Sequence, residues 1–176
     1  MKTARFKILF ISIFIILWSS SVFAGEDTRL YTEARKMAKA GQKDFAFMQY
    51  QTILRDYPAS PFAEQALFGK GEYCFMIANY PQAEEAFQAF LQRYPKSSGR
   101  IFALAHLLSI ARAQNNSAAA EKLEKEIITQ KQVSLVFRDR KEYKYLSPLN
   151  QTYKAAIHID KIEIYVGGEL FAKISY

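Results

Sequence analysis

Two stretches of the sequence share a turn signal, and they decide the fold. They are "DYPASPFAEQAL" at residues 56–67 and "RYPKSSGRIFAL" at residues 93–104. Both contain Tyr-Pro-x-Ser, and their prolines, Pro58 and Pro95, lie 37 residues apart. Because proline interrupts a helix and serine favours the start of one, each stretch is typical of a joint between two helices. A joint that recurs at a fixed spacing indicates a repeated structural unit.

The 37-residue offset relates apolar positions over most of the chain. The matched sets are Leu30/Leu67/Leu104, Ala34/Gly71/Leu108, Met37/Cys74/Ala111, Ala46/Ala83/Ala120 and Tyr50/Phe87. Apolar residues recur at helical spacing in two runs per unit, and the runs are separated at Gly41-Gln42, at "NYP" (79–81) and at "NNS" (115–117). The sequence therefore predicts a mainly α protein, a solenoid of about three antiparallel helix hairpins over residues 25–132.

Local signals refine the helix boundaries. Ser60 is predicted to cap the second unit's first helix, and Pro81 suits the first turn of its second helix. Gly71 and Ala83 are predicted where the two helices of one hairpin cross, because larger side chains there would push the axes apart. In the third unit, helices are predicted over 101–113 and 118–131.

This pattern resembles the tetratricopeptide repeat, whose units combine small residues in both helices, an aromatic residue and a closing proline. The matching residues are Leu30, Ala34, Ala46, Tyr50, Ile53 and Pro58 in the first unit, and Leu67, Gly71, Ala83, Phe87, Phe90 and Pro95 in the second. The period exceeds the usual length of about 34 residues. In the third unit Glu124 replaces the aromatic and Gln132 the proline, as in a capping repeat.

The long form with Tyr-Pro-x-Ser at its joints resembles the repeats of envelope proteins of the Tol–Pal coordinator and outer-membrane-assembly groups. The resemblance implies that the first helix of each hairpin lines a groove that binds a partner segment. By repeat position, the groove residues would be Tyr31, Arg35, Gln65, Phe68, Glu72, Phe102 and Arg112. Phe68 and Glu72 stand where some relatives carry a basic clamp, so a free terminal carboxylate is not the expected ligand. The alternative is that these residues pack on the C-terminal segment.

The N-terminal 24 residues have the pattern of an export signal. Basic residues precede an apolar run at 8–18, and Val22 and Ala24 are the small residues of a cleavage site. Cleavage after Ala24 is predicted, with an uncleaved inner-membrane anchor over residues 6–24 as the alternative. Export with a single cysteine, Cys74, favours the bacterial periplasm.

The charge of the chain argues against a nucleic-acid partner. The whole chain has 24 Lys and Arg against 17 Asp and Glu. The predicted signal holds three of these basic residues and no acidic one, so the remainder carries a net charge of +4. A balance this small is typical of an ordinary soluble surface.

Residues 133–176 are predicted to form a small antiparallel β segment. Alternation predicts a strand at 133–137, the charge run at 138–142 predicts a solvated turn, and 146–150 predicts a loop. Ile157 and Ile159 alternate on one face of a strand, and the alternation changes phase at Asp160-Lys161. That change requires a tight turn or a bulge.

The register of the last hairpin follows from its apolar face. A two-residue loop at Gly167-Gly168 would pair Ile162 with Lys173 and mix charge into that face. A three-residue loop, Gly167–Glu169, is therefore predicted. Its pairs are Val166 with Leu170, Ile164 with Ala172 and Ile162 with Ile174.

The candidate reactive residues do not form a catalytic pattern. His106 and His158 are far apart in sequence, and neither has an acidic residue or cysteine at metal-ligand spacing. Cys74 occupies a core position of the repeat, which favours a small buried hydrophobe over a nucleophile. Gly167-Gly168 lacks the lysine and the helix of a phosphate loop. The sequence therefore predicts a protein that is not an enzyme and has no cofactor or metal.

The function predicted from these features is that of an exported interaction scaffold in the bacterial cell envelope, which binds a protein partner through the groove. The alternative is a module that binds the cell wall (peptidoglycan) or a membrane surface. Basic residues at 93–100 and 138–144 motivate that alternative.

Overall fold

The computed structural model describes residues 25–132 and 141–176. The predicted signal, the predicted strand at 133–137 and residues 138–140 lie outside this range. The helices are α1 Glu26–Lys39, α2 Lys43–Asp56, α3 Ala63–Met76, α4 Tyr80–Arg93, α5 Arg100–Ala113 and α6 Ser117–Gln132. The strands are β1 Lys141–Leu146, β2 Thr152–Ile157, β3 Lys161–Val166 and β4 Glu169–Ser175.

The helices repeat at the predicted offset. The first helices of the hairpins begin at Glu26, Ala63 and Arg100, and the second helices at Lys43, Tyr80 and Ser117, so that each series advances by 37 residues. Each helix packs against the next one along the chain. The prediction of a mainly α protein built from helical hairpins and followed by an antiparallel β segment is confirmed. None of the described helices is long and apolar enough to cross a membrane.

The turn inside each hairpin is the same in all three units. Its central residue has a left-handed backbone, with φ of 79° at Gly41, 58° at Ala78 and 57° at Asn115. The following residue donates its N–H to a carbonyl of the preceding helix: Gln42 to Met37, Asn79 to Cys74 and Asn116 to Ala111. These are the hydrogen bonds that close an α-helix before a left-handed residue.

The boundary of α3 corrects one prediction. The helix begins at Ala63, and its N-cap, Phe62, makes no side-chain cap hydrogen bond. Ser60 is therefore not the N-cap. Its Oγ accepts the N–H of Phe62 at 3.2 Å and donates to Asp27 Oδ2 at 2.7 Å, so the hydroxyl links two units.

The crossing of α3 and α4 confirms the role of small residues. A Cβ built on Gly71 would lie 2.9 Å from a ring carbon of Phe87, and Ala83 on the facing helix is fully buried. The Phe87 ring therefore occupies the space that a side chain at position 71 would need. At the start of α4, Asn79 accepts the N–H of Gln82, and Pro81 lies in the first turn as predicted.

The C-terminal segment is a four-stranded antiparallel sheet in the order β1-β2-β3-β4. One face, called the inner face, is buried and shares a hydrophobic core with α3 to α6. Its buried residues are Tyr153, Ala155, Ile157, Ile162, Ile164, Ala172 and Ile174. The other, outer face alternates with it and points away from this core.

Two strand boundaries differ from the prediction. Lys141 and Glu142 belong to β1 rather than to a solvated turn. Ile159 lies in the turn between β2 and β3 and is 67% exposed, because β2 ends at Ile157. The phase change at Asp160-Lys161 does coincide with this turn.

The last hairpin combines features of both loops considered for it. The loop contains two residues, Gly167 and Gly168, both with positive φ, so the predicted three-residue loop is wrong. The predicted pairs Ile164–Ala172 and Ile162–Ile174 are nevertheless present. A register shift beside Tyr165 leaves Phe171 between paired positions. This bulge restores the phase that the shorter loop would have lost.

Candidate functional site

The groove that the hairpins form is covered by the protein's own sheet. The ring centroid of Phe68 in α3 lies 5.0 Å from the ring centroid of Tyr145 in β1 and 5.8 Å from that of Tyr153 in β2. Phe102 in α5 contacts the same two tyrosines, at 5.8 and 5.1 Å. Both phenylalanines are fully buried. The position that the resemblance assigns to a partner segment is thus held by β1 and β2.

A buried polar cluster lies at this contact. Glu72 Oε1 in α3 accepts hydrogen bonds from Ser147 Oγ and from the hydroxyl of Tyr153, each at 2.9 Å. The Tyr153 oxygen also lies 2.8 Å from Nε2 of His106 in α5. All four side chains are buried. The cluster joins two first helices to the sheet, and we call it the Glu72 cluster.

Proton positions in the Glu72 cluster follow from the single hydroxyl proton of Tyr153. With Tyr153 donating to Glu72, Nε2 of His106 carries the hydrogen that Tyr153 accepts, and Nδ1 is left as an acceptor. Within the described part of the chain, His106 Nδ1 has no hydrogen-bond partner. The backbone N–H of Leu149 acts on the Glu72 carboxyl and favours its charged form, although it does not meet the strict geometry of a hydrogen bond to Oε2. The cluster therefore specifies how the sheet docks, but it leaves a buried imidazole nitrogen unsatisfied.

Burial controls the ionisation of this cluster. It raises the pKa of the Glu72 carboxyl to about 7, although the hydrogen bonds from Ser147 and Tyr153 act in the opposite direction. Burial also lowers the pKa of His106 to about 3. At neutral pH the imidazole is therefore neutral, whereas Glu72 lies close to its titration midpoint.

The loop between β1 and β2 is held by the first hairpin. Arg35 Nη1 donates to the carbonyl of Ser147, and the Tyr50 hydroxyl donates to that of Pro148 at 2.9 Å. A Cβ built on Gly69 would lie 2.8 Å from the Tyr50 ring and 3.2 Å from Pro148 Cβ. The absence of a side chain at Gly69 thus lets the loop approach the helices.

The seven predicted groove residues divide into two groups. Phe68, Glu72 and Phe102 are buried beneath the sheet, and Arg35 binds its loop. Three others do not contact a sheet residue through a described ring contact or side-chain hydrogen bond. Tyr31 stacks on Phe62 at 4.3 Å, Gln65 is half-buried, and Arg112 pairs with Glu124 of α6 at 2.7 Å. Arg112 is therefore part of a contact within the third hairpin.

Sequence reasoning did not find the partners of these residues. No local pattern indicates a role for Tyr145, Ser147 or Tyr153, and none indicates a partner for His106. One signal was available, since His106 is the single ionisable residue within "IFALAHLLSIA", a helix segment that is buried nearly all round. A polar side chain in such a helix requires a buried hydrogen-bond partner.

The other candidate reactive groups lie apart from the cluster. Cys74 is buried and is not in a disulfide, and burial raises its pKa. His158 Nε2 lies 3.3 Å from Glu163 Oε2 on the sheet. Among residues 25–132 and 141–176, no three His, Cys, Asp or Glu side chains are arranged to hold a metal ion.

A separate cleft of about 650 Å³ opens on the outer face of the sheet, near the loop that joins β1 and β2. Residues of β1, β2 and β3 line it, together with Gly168. Its walls contain Lys144, Leu146, Lys154 and Tyr165. We call it the outer-face cleft.

A scan against models of known protein families and a search of curated protein sequences return no match to this chain.

Proposed function

We propose that this protein is an exported, non-enzymatic scaffold of the bacterial cell envelope that binds a protein partner, and that its repeat groove binds the protein's own sheet rather than that partner. The carrying observation is the contact of Phe68 and Phe102 with Tyr145 and Tyr153. A groove filled by an apolar sheet face orients the opposite face toward the surroundings. The exposed outer face is then the surface on which a partner is expected to bind.

The buried state of the groove residues supports this division of roles. A partner could reach Phe68, Glu72 or Phe102 only after the sheet had left, which would expose its apolar inner face to water. The Glu72 cluster would lose its hydrogen bonds at the same time. Partner binding on surfaces that are already exposed avoids both costs.

Site-specific photo-cross-linking in cells tests the scaffold proposal. A photoreactive amino acid is placed at exposed Phe45 in α2, at exposed Leu170 in β4 and at half-buried Gln65 in the groove wall. We expect a discrete adduct with one partner protein from an exposed position and none from Gln65. The absence of an adduct from both exposed positions would contradict the scaffold. An adduct from Gln65 alone would contradict the covered groove.

Export is tested by fusing residues 1–24 to a reporter enzyme that is active only outside the cytoplasm. We expect activity with the native segment and its loss in Ile15→Arg, which places a charge in the apolar run. Equal activity of both fusions, at the level of a reporter with no signal, would contradict export. The mass of the purified chain reports whether Gly25 is its first residue.

A further inference from the structure

The outer-face cleft is positively charged at its centre. Lys144 in β1 and Lys154 in β2 are direct partners in the antiparallel register, and both side chains project from the outer face. Directly opposed side chains lie only about 5 Å apart at their Cβ atoms, and like charges in this position destabilise a sheet. The lining of the cleft contains no acidic residue.

Nearby carboxylates balance only one of the two lysine charges. Glu142 lies 3.1 Å from Lys154 Nζ, and no carboxylate of the described residues lies within ion-pair distance of Lys144. Glu163, the next acidic residue on this face, accepts hydrogen bonds from Lys161 at 2.8 Å and from the Tyr165 hydroxyl at 3.1 Å. A negative group brought into the cleft would therefore offset an unbalanced charge at Lys144.

Apolar surface flanks the two lysines. Leu146, the last residue of β1, is 51% exposed and lines the cleft. Leu170 in β4 is 55% exposed and is the register partner of Tyr165 in the cleft wall. The Tyr165 ring centroid lies 5.9 Å from Lys154 Nζ. A ligand that fits this surface combines a carboxylate with aliphatic side chains.

We propose that the outer-face cleft binds an acidic peptide segment of a partner protein, with a carboxylate between Lys144 and Lys154 and an aliphatic side chain against Leu146 and Tyr165. This inference rests on the proposed function, because it assigns the scaffold's partner to one surface. An anionic membrane is the less suitable ligand. A flat bilayer that contacts this face would also approach Glu142 and Glu163, whereas a short peptide contacts the cleft alone.

The test uses the purified chain and two fluorescein-labelled peptides of strand length. One alternates Glu and Leu, and its matched control alternates Lys and Leu. Fluorescence anisotropy should show binding of the Glu-Leu peptide alone, weaker at about 300 mM than at about 50 mM salt because screening reduces the attraction. Lys144→Glu should weaken binding by about tenfold or more. Lys39→Glu makes the same charge change on exposed α1 and should leave binding unchanged.

A second variant tests the apolar part of the cleft. Leu146→Ser retains every charge, and because Leu146 is half exposed the fold should tolerate it. Weaker binding that keeps its salt dependence supports the proposal, and unchanged binding contradicts the placement of the aliphatic side chain. Far-UV circular dichroism checks that each variant is folded.

Three results would overturn the proposal. One is no binding of the Glu-Leu peptide at about 1 mM, where even weak peptide sites are occupied. Another is an equal loss in Lys144→Glu and Lys39→Glu, which would indicate a response to net charge alone. The third is co-sedimentation with phosphatidylglycerol vesicles that Lys144→Glu abolishes, without peptide binding. If the Glu-Leu peptide does not bind while an exposed position still cross-links to one protein, the proposed scaffold function is supported and only the assignment of the partner to the cleft is wrong.

Discussion

Ser60 Oγ donates a hydrogen bond to Asp27 Oδ2 at 2.7 Å, and one repeat later Ser97 Oγ donates to Glu64 Oε1 at 2.6 Å. In both loops the serine oxygen also accepts the backbone N–H two residues further on. The two repeats share this hydrogen-bond geometry, which explains why Tyr-Pro-x-Ser recurs. Each serine links the start of one unit to the first turn of the unit before it.

We predict that Ser60→Ala and Ser97→Ala each lower the free energy of unfolding by about 1.5–3 kcal/mol, the usual contribution of a hydrogen bond to a charged group. Because the two pairs share no residue, their effects should add in the double variant. Urea denaturation measures both quantities. Ser98→Ala is the matched control, since Ser98 is exposed in the same loop as Ser97. A control as destabilised as Ser97→Ala would show that the loop, and not the hydrogen bond, is responsible.

Ala78 has a left-handed backbone that costs an L-residue about 1–2 kcal/mol. It is exposed, so its methyl group contributes little packing. We predict that Ala78→Gly raises the free energy of unfolding by about 1 kcal/mol. Ala113→Gly, at an exposed helical position, should lower it by about 0.5–1 kcal/mol. Thermal unfolding distinguishes the two signs, and a lower midpoint for Ala78→Gly would refute the strain.

Gly71 leaves no room for a side chain beside Phe87. We predict that Gly71→Ala destabilises the protein by about 1–3 kcal/mol, as expected for an overpacked core. Gly71→Ala should destabilise a Phe87→Leu variant less, because the smaller leucine side chain leaves room for the added Cβ. Gly25→Ala is the control, as a Cβ there would meet nothing within 4 Å. Equal costs of Gly71→Ala in both backgrounds would show that the ring is not the obstacle.

Glu72 makes stability depend on pH. Its pKa is about 7 in the folded protein against an ordinary value of 4.5, so the folded state binds the proton more tightly. The contribution of Glu72 protonation to the stability of the fold is fully present below pH 4.5 and is lost as pH rises through 7. The whole loss is about 3 kcal/mol for a shift of this size. The difference in free energy of unfolding between Glu72→Gln and wild type should therefore shift by about 3 kcal/mol in favour of the variant between pH 4 and pH 8.

His106 has the opposite dependence. Its pKa is lowered to about 3, so its contribution is present above pH 6.5 and is lost as pH falls toward 3. Between pH 4.5 and 6.5 the two groups largely cancel in wild type. Glu72→Gln removes that cancellation, so its stability should rise with pH over this interval. Urea unfolding at several pH values measures the curves, with Glu85→Gln as an exposed control. Parallel curves for Glu72→Gln and wild type would contradict the shifted pKa.

Much of the fold followed from local patterns. The 37-residue period, the hairpin breaks and the proline at the start of α4 each depend on residues close in sequence, so periodicity and turn chemistry determine them. The prediction that Ser60 is an N-cap is wrong because the helix begins only at Ala63, with Phe62 in the cap position. The Ser60 oxygen instead accepts the N–H of Phe62 within the loop, while its proton is donated to Asp27 of another unit. The predicted three-residue loop is wrong because a bulge beside Tyr165 restores pairs that a two-residue loop without a bulge would lose.

The sequence by itself determined the helical hairpins and the β character of the C-terminal segment, since both are properties of spacing along the chain. Only the tertiary structure decided what occupies the groove. Tyr153 follows Glu72 by 81 residues, and no local sequence pattern predicts that their side chains form a hydrogen bond. The docking depends on the shape of an assembled groove and on the burial of an entire sheet face, which exist only after the chain has folded.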